Sequence, residues 1–238
     1  MFEFQKGTVK EIINETANTK RFFIEASEMT VFDFIPGQFV TLDLPISEKK
    51  NKRMRSYSIA SAPNDTNVFE LLIVKVEDGE GGSKYIFEKW EIDTEISFRG
   101  ALGQFILPKE IAQPILFICT GTGIAPFRSM LQQIKNHSIS HKEIFLLFGT
   151  RFQEDILYYN EMKNLETHLS DFKFIPVLSR EKWEGKMGYV HTVYTEIIPT
   201  LQKPNVYLCG WRNMVDEARN NLRELGLEKE QIHFELYG

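Results

Sequence analysis

Cysteine is scarce in this chain: Cys119 and Cys209 are the only two in 238 residues. Two thiols so far apart in sequence provide neither a disulfide framework nor a four-cysteine iron-sulfur or zinc site. Any redox chemistry must therefore come from a dissociable organic cofactor. A surplus of positive charge is also missing. The 28 Lys and Arg stand against 33 Asp and Glu, a formal net charge of -5, which argues against a protein built mainly to coat nucleic acid. No stretch approaches about 18 consecutive apolar residues, so no membrane-spanning helix is expected. The opening MFEFQKGTVKEIINE lacks the basic segment and apolar core of a secretory leader, and the default expectation is a reducing compartment, most simply the cytoplasm. None of the five histidines (His137, His141, His168, His191 and His233) forms an H-x-x-x-H helix pair with a Glu, and His137 and His141 straddle a loop. Metal catalysis is not expected. A G-x-S-x-G nucleophile elbow is absent as well.

What is present is enough apolar material, 42% of residues, for one or two packed domains at about 150 residues each. Over residues 1–108 the chain reads as short alternating segments (RFFIEAS, QFVTLDL, FELLIVKV, EISFRG) separated by turn material such as PG at 36–37 and APND at 62–65. This pattern predicts an antiparallel sheet closed into a small β-barrel. From residue 109 the pattern changes. Apolar runs (ILFIC, EIFLLFG, FKFIPVLS, NVYLCG, IHFELYG) alternate with helical stretches (FRSMLQQIKNH, DILYYNEMKNLETHL, MVDEARNNLRELG). That is the signature of an α/β domain with a doubly wound parallel sheet, residues 109–238. Gly226 sits where a left-handed C-terminal helix cap is expected.

Three short stretches carry chemistry. Gly121-Thr122-Gly123-Ile124-Ala125-Pro126 lies between an apolar strand and an amphipathic helix. Glycines there let backbone amides approach a pyrophosphate, and the helix N-terminus adds partial positive charge. Pro126 replaces the third glycine of the usual fingerprint, and the second strand ends in Gly149-Thr150-Arg151 rather than an acidic ribose ligand, so a plain tight turn is the competing reading. Arg55-Ser56-Tyr57-Ser58 offers a guanidinium for phosphate, a ring to flank a flat heterocycle and a hydroxyl for a ring nitrogen; alone it also reads as an exposed strand. Gly81-Gly82-Ser83 before Tyr85-Ile86-Phe87 is either a second phosphate-binding helix start or a flexible acidic hairpin.

Taken together, RSYSIAS at 55–61, LIVK at 72–75, GGS at 81–83, GTGIAPFRSML at 121–131, SR at 179–180, YLCGWRNM at 207–214 and ELY at 235–237 resemble the ferredoxin-NADP reductase family, its plant-type subgroup in particular. The resemblance covers nearly the whole chain. It implies a barrel that carries FAD and an α/β domain that carries NADP. Carried over, it implies that Arg55 binds the flavin phosphate, Ser56 is among the cofactor-binding residues, Tyr57 packs against the isoalloxazine, and Ser58 lies by flavin N5. Gly81, Gly82 and Ser83 would hold the FAD pyrophosphate, and Ile73 and Lys75 would touch the cofactor through backbone. Gly121, Thr122, Gly123 and Pro126 would take the NADP pyrophosphate, Ser179 and Arg180 the 2'-phosphate, and Tyr189 the adenosine. Cys209 and Gly210 would meet the nicotinamide with Met214 nearby, Glu235 at the floor of the site, and Tyr237 over the flavin face. The catalytic set is thus Ser58, Cys209, Glu235 and Tyr237, with no metal. Two departures stand out: Gly238 follows Tyr237, and the basic residue expected before Tyr189 is matched only by Lys186, three positions back.

The implied activity is hydride transfer between NADP(H) and FAD, with single electrons exchanged with a separate ferredoxin or flavodoxin. The basic stretch EKKNKRMR at 48–55 would attract such an acidic partner, or is simply a solvated loop. The competing functions are the reductase component of an oxygenase, a free flavin reductase, and a non-catalytic nucleotide-sensing or electron-transfer subunit.

Overall fold

A computed structural model describes residues 3–237; Gly238 lies outside the described residues. The chain divides into two compact units, one formed by residues up to Ile106 together with Ala125–Gln133, the other by Leu107–Ile124 and the residues from Ile134 onward.

The first unit contains β1 (Gln5–Asn14), β2 (Thr19–Ala26), β3 (Phe39–Asp43), α1 (Lys50–Arg53), β4 (Met54–Ser58), β5 (Val68–Val74), α2 (Gly82–Lys89) and β6 (Glu95–Leu102). Its strands run in the order β4-β3-β6-β1-β2-β5, and every pair is antiparallel. A bridge between Ile59, just past β4, and Leu71 of β5 joins the two ends of the sheet and closes the barrel. Alternation drives the closure: on β2, Phe22, Ile24 and Ala26 point inward at the period of two that a half-buried strand requires. Phe32, Phe69 and Phe98 meet at the centre with ring centroids 4.6 to 5.7 Å apart.

The second unit is built on β7 (Ile115–Thr120), followed by a 3-10 turn over Gly121–Ile124 that runs into α3 (Ala125–Asn136). Then come β8 (Ile144–Thr150), α4 (Tyr159–His168), β9 (Phe172–Leu178), β10 (Lys186–Met187), α5 (Val190–Ile197), β11 (Asn205–Trp211), α6 (Arg212–Glu224) and β12 (Ile232–Tyr237). The sheet order is β10-β9-β8-β7-β11-β12, all parallel. The chain steps outward in one direction from β7 and then returns to β11 on its other side. This reversal between β7 and β11 is a topological switch point, where open parallel sheets bind ligands at the carboxyl ends of their strands. The expected antiparallel barrel and doubly wound parallel sheet are both present.

Several local features differ from the sequence reading. The helix expected from about Phe127 starts at Ala125, and Pro126 is accommodated because its missing N–H falls in the first turn, where no intrahelical partner exists. α4 begins only at Tyr159, after a short 3-10 turn at Gln153–Asp155. α5 is not signalled by composition at all. Its Val190, Val193 and Tyr194 are buried in the core beneath the sheet, a spacing of three and four that outweighs the poor helix propensity of a Val- and Thr-rich stretch. The basic stretch forms one helical turn, α1, with Lys50 and Lys52 exposed. At the end of α6, Gly226 (φ +88°) donates its N–H to Arg223 O at 2.9 Å and Leu227 N donates to Leu222 O at 3.0 Å, the Schellman closure. Among the described residues no helix is long and apolar enough to cross a membrane.

Candidate functional site

In the barrel unit, two motifs separated in sequence meet at Arg55. Its stem lies across Gly82, where an added Cβ would come within 2.8 Å of Arg55 Cγ and 2.9 Å of Nε. The guanidinium donates to Lys52 O, Met54 O and Glu80 O at 2.8 to 3.1 Å and to Glu80 Oε2 at 3.0 Å. Gly81, in the left-handed region at φ +83°, caps α2 with nothing within 4 Å of its missing Cβ. The helix start, with its unsatisfied amides, is therefore open beside a cation, a donor set suited to a phosphate. Ser83 accepts a hydrogen bond from Val76 N at 3.1 Å, beside Lys75. Lys75 itself is tied to the Glu77 carboxylate at 2.6 Å and, through its backbone N–H, to Asn18 O. Ile73 gives its side chain to the barrel core.

Tyr57 and Ser58 follow Arg55 along β4. Tyr57 is half-buried; burial pushes its hydroxyl up to about 12, against the opposing pull of the Arg55 charge. It stays a neutral phenol throughout the physiological range. Ser58 is buried, and Ser56 shares a 3.0 Å hydrogen bond with Thr41 on β3.

In the second unit the glycine turn is pressed against the end of β11. A Cβ on Gly123 would lie 2.3 Å from Cys209 O and 2.9 Å from Gly210 N, so only glycine permits this approach. Gly210, at φ +140°, is locked reciprocally, since its Cβ would meet Thr120 Oγ1 at 2.4 Å. The turn that exposes its amides thus sits at the switch point itself. Trp211, 53% exposed, donates its backbone N–H to Thr120 Oγ1 at 3.4 Å, and its indole Nε1 lies near Gly121. Sequence reasoning assigned Trp211 no role. The available signal was an aromatic placed directly after a Cys-Gly strand end, where a core position is no longer expected.

Cys119, Cys209 and Glu235 occupy one row across β7, β11 and β12, with Tyr237 opposite Trp211. Burial pushes the Cys209 thiol well above the ordinary range; the Glu235 charge and the neighbouring Cys119 add to the rise, and a hydrogen bond with the Tyr237 side chain opposes it. Burial likewise raises Cys119. An ordinary thiol with pKa about 8.5 is partly thiolate at pH 8, but these two remain protonated. Neither cysteine is therefore expected to react with iodoacetamide at pH 8 in the folded protein, and both should react once it is denatured. Intact-mass measurement showing rapid native labelling of Cys209 would contradict the burial.

At the ends of β8 and β9, Ser179 donates through N and Oγ to Thr150 O, and Arg180 N donates to Arg151 O. This brings Ser179 and Arg180 to the same carboxyl edge of the sheet. Tyr189, 64% exposed, stacks on His191 at 5.3 Å. Lys186 is paired with Glu196 at 2.9 Å. Met214 packs against the core beneath α5 and α6. Among the described residues there is no group of three or more His, Cys, Asp or Glu able to hold a metal ion.

Comparison with known proteins fits this geometry. Residues 6–106 match the oxidoreductase FAD-binding domain family and residues 117–220 the oxidoreductase NAD-binding domain family. The chain is 35% identical over 239 residues to ferredoxin-NADP reductase B of Sorangium cellulosum, covering 96% of this chain and 91% of that protein. It is 28% identical to the anthranilate 1,2-dioxygenase electron transfer component of Acinetobacter baylyi, covering 95% of this chain but only 64% of that longer protein. A ferredoxin-NADP+ reductase structure from Neisseria gonorrhoeae, solved with FAD and NADP, superimposes with a TM-score of 0.81 over 99% of both chains at 24% identity, a likeness of fold. With both halves matched in order and a full-length relative at this level of identity, the chain belongs to the ferredoxin-NADP reductase family.

Proposed function

We propose that this flavoprotein moves hydride between NADP(H) and FAD and exchanges single electrons with a separate ferredoxin or flavodoxin. The observation that carries the reading is the glycine turn held against Cys209 and Gly210 at the switch point of the parallel sheet, with a distance that excludes even a methyl group. Bound FAD supplies the chemistry the chain lacks, accepting two electrons at once and releasing them singly. The protein's own residues orient and exclude. Arg55 and the amides of Gly81, Gly82 and Ser83 bind the flavin's phosphates, Tyr57 flanks the ring as an uncharged phenol, and Ser58 offers a hydroxyl to a ring nitrogen. Two phosphate-binding features in one barrel favour FAD over FMN.

Gly121, Thr122, Gly123 and Pro126 hold the pyrophosphate of the pyridine nucleotide, and Tyr189 holds its adenosine. Cys209 and Gly210 face the nicotinamide. Buried and with its thiol protonated, Cys209 backs the nicotinamide position from within the strand end and does not add to the ring as a nucleophile. Glu235 and Tyr237 complete the floor and cover of the site. Ser179 and Arg180 read the 2'-phosphate. A charge-assisted hydrogen bond to phosphate is worth about 1.5 to 3 kcal/mol, so Arg180→Ala should weaken NADPH about 10- to 150-fold and leave NADH nearly unchanged. Parallel titrations with the two nucleotides check this; equal losses would reject the assignment.

The exposed Lys49, Lys50 and Lys52 around α1 support an acidic protein partner. A second reading, the reductase of an oxygenase, is favoured by the similarity to the anthranilate dioxygenase component. The deciding experiment loads the purified chain with flavin, identifies the bound flavin by chromatography, and compares NADPH-driven reduction of ferredoxin, flavodoxin, free FMN and an oxygenase component. Failure to hold FAD would overturn the flavoprotein reading, absence of bleaching by NADPH or NADH would leave a nucleotide sensor, and preference for free FMN or the oxygenase component would displace the ferredoxin reading.

A further inference from the structure

Arg128 and Ser129 lie in the stretch GTGIAPFRSML, and Ala60 and Ser61 in RSYSIAS, yet none of the four has a part in the function proposed above. The structure assigns them to one another. Arg128 Nη1 donates to Ala60 O at 2.8 Å and to Glu70 Oε2 at 2.9 Å. Ser129 Oγ donates to Ser61 O at 2.6 Å, and Ala62 N donates to Gln132 Oε1 at 3.0 Å. Three consecutive residues after β4 are each held by a different side chain of α3.

Glu70 anchors the arrangement from β5. Besides Arg128 it takes Arg21 Nε at 2.7 Å and Nη2 at 3.1 Å, a two-pronged contact, and its backbone N–H donates to Ser61 Oγ at 3.0 Å. Glu70 is 1% exposed and Arg128 5%. Charges this deeply buried are tolerated only when paired and hydrogen-bonded. Shifting α3 along the strand would pull the Arg128 guanidinium away from both the Ala60 carbonyl and the Glu70 carboxylate, leaving Arg21 to hold Glu70 without it. The register is thus held in one discrete setting.

Its position in sequence gives this register a chemical meaning. Ala60 is two residues beyond Ser58, the residue assigned to the flavin ring. α3 continues directly from the Gly121–Ile124 turn assigned to the nucleotide pyrophosphate, and its residues 125–133 group with the barrel unit. We propose that Arg128 is a positioning residue for hydride transfer: with Glu70, Arg21, Ser129 and Gln132 it clamps the segment leaving Ser58 onto α3, and so holds the Ser58 hydroxyl in place beside the flavin ring nitrogen. The proposal rests on the functional reading above. Its expected effect is on rate rather than on affinity, since a misplacement of about 1 Å lowers a transfer rate by about 100-fold.

Arg128→Lys tests this while keeping a buried cation, because an ammonium lacks the planar fork of the native side chain and cannot reproduce its contacts. Ser129→Ala is the milder companion. In FAD-loaded protein, anaerobic stopped-flow bleaching by NADPH should slow by about 10-fold or more in Arg128→Lys and about 3-fold in Ser129→Ala, with NADP+ affinity held within about 2-fold. The long-wavelength absorption band formed on nucleotide binding should weaken in both, and the isotope effect with C4-deuterated NADPH should rise. Native-like transfer rates and isotope effects in both variants, even with lowered melting temperatures, would overturn the proposal and leave Arg128 a stability role alone. A loss carried entirely by nucleotide affinity would overturn it too. If Arg128→Lys does not fold, Ser129→Ala decides by the same readouts. A native chain that takes up FAD but is not bleached by either nucleotide would instead overturn the functional reading, so the two failures are distinct.

Discussion

Gly123→Ala is expected to weaken NADP(H) binding by about 100-fold or more while FAD stays bound, an effect of the size that follows when a binding element is displaced by about 1 Å. The new Cβ would sit 2.3 Å from Cys209 O, 2.7 Å from Cys209 C and 2.9 Å from Gly210 N. All three are backbone atoms of β11, which is hydrogen-bonded to β7 on one side and β12 on the other. A strand held on both edges does not give way, so the turn must move, and with it the amides aimed at the pyrophosphate. Gly226→Ala is the control: it places a side chain at a positive φ, which Gly123 does not have, but nothing lies within 4 Å of its Cβ. It should lower stability by about 1 kcal/mol, the cost of a non-glycine residue in the left-handed region, without touching nucleotide affinity. Calorimetric titration with NADP+ separates the two, and a Gly123→Ala affinity within about 3-fold of native would remove the glycine turn from the binding site.

Arg55→Met is expected to weaken FAD binding by about 10- to 150-fold, the loss of a charge-assisted contact worth about 1.5 to 3 kcal/mol. Methionine keeps an apolar stem of similar length over Gly82, where Arg55 Cγ and Cδ pack, so the substitution removes charge more than volume. It also releases the Glu80 carboxylate, now paired with Arg55 at 3.0 Å, beside the same phosphate position. The change therefore exchanges an attractive neighbour for a repulsive one. Fluorescence quenching of FAD by the apoprotein measures the affinity, and its salt dependence should flatten in the variant as a screened attraction is lost. An unchanged affinity with an unchanged salt profile would place the flavin phosphate elsewhere.

Much of the fold was legible because hydrophobic periodicity is a local property. The alternation of Phe22, Ile24 and Ala26 announced a barrel strand, and the unbroken ILFIC and IFLLF runs announced strands covered on both faces. Glycine positions were readable for the same reason, since Gly81, Gly121 and Gly226 all take positive φ where a turn or cap was expected. α5 was not legible, because Val, Thr and Ile favour extended backbone unless three- and four-residue spacing finds a core to cover. Glu70 and Arg128 show what periodicity leaves out. Each is a lone charge in an apolar stretch, FELLIV and APFRSML, and the two are buried against each other from 58 positions apart.

The amino-acid order by itself determined the two architectures, their succession along the chain and the turns at which phosphates can be met, since each depends on residues within a few positions of one another. Only the tertiary structure decided which turn is pressed against which strand end: that Gly123 abuts Cys209, that Arg55 crosses Gly82 and that Arg128 reaches Glu70. The reason is physical. Burial pattern and backbone freedom are written into single segments, whereas a close approach or a buried ion pair exists only after the sheet order has brought distant segments together and excluded water from between them.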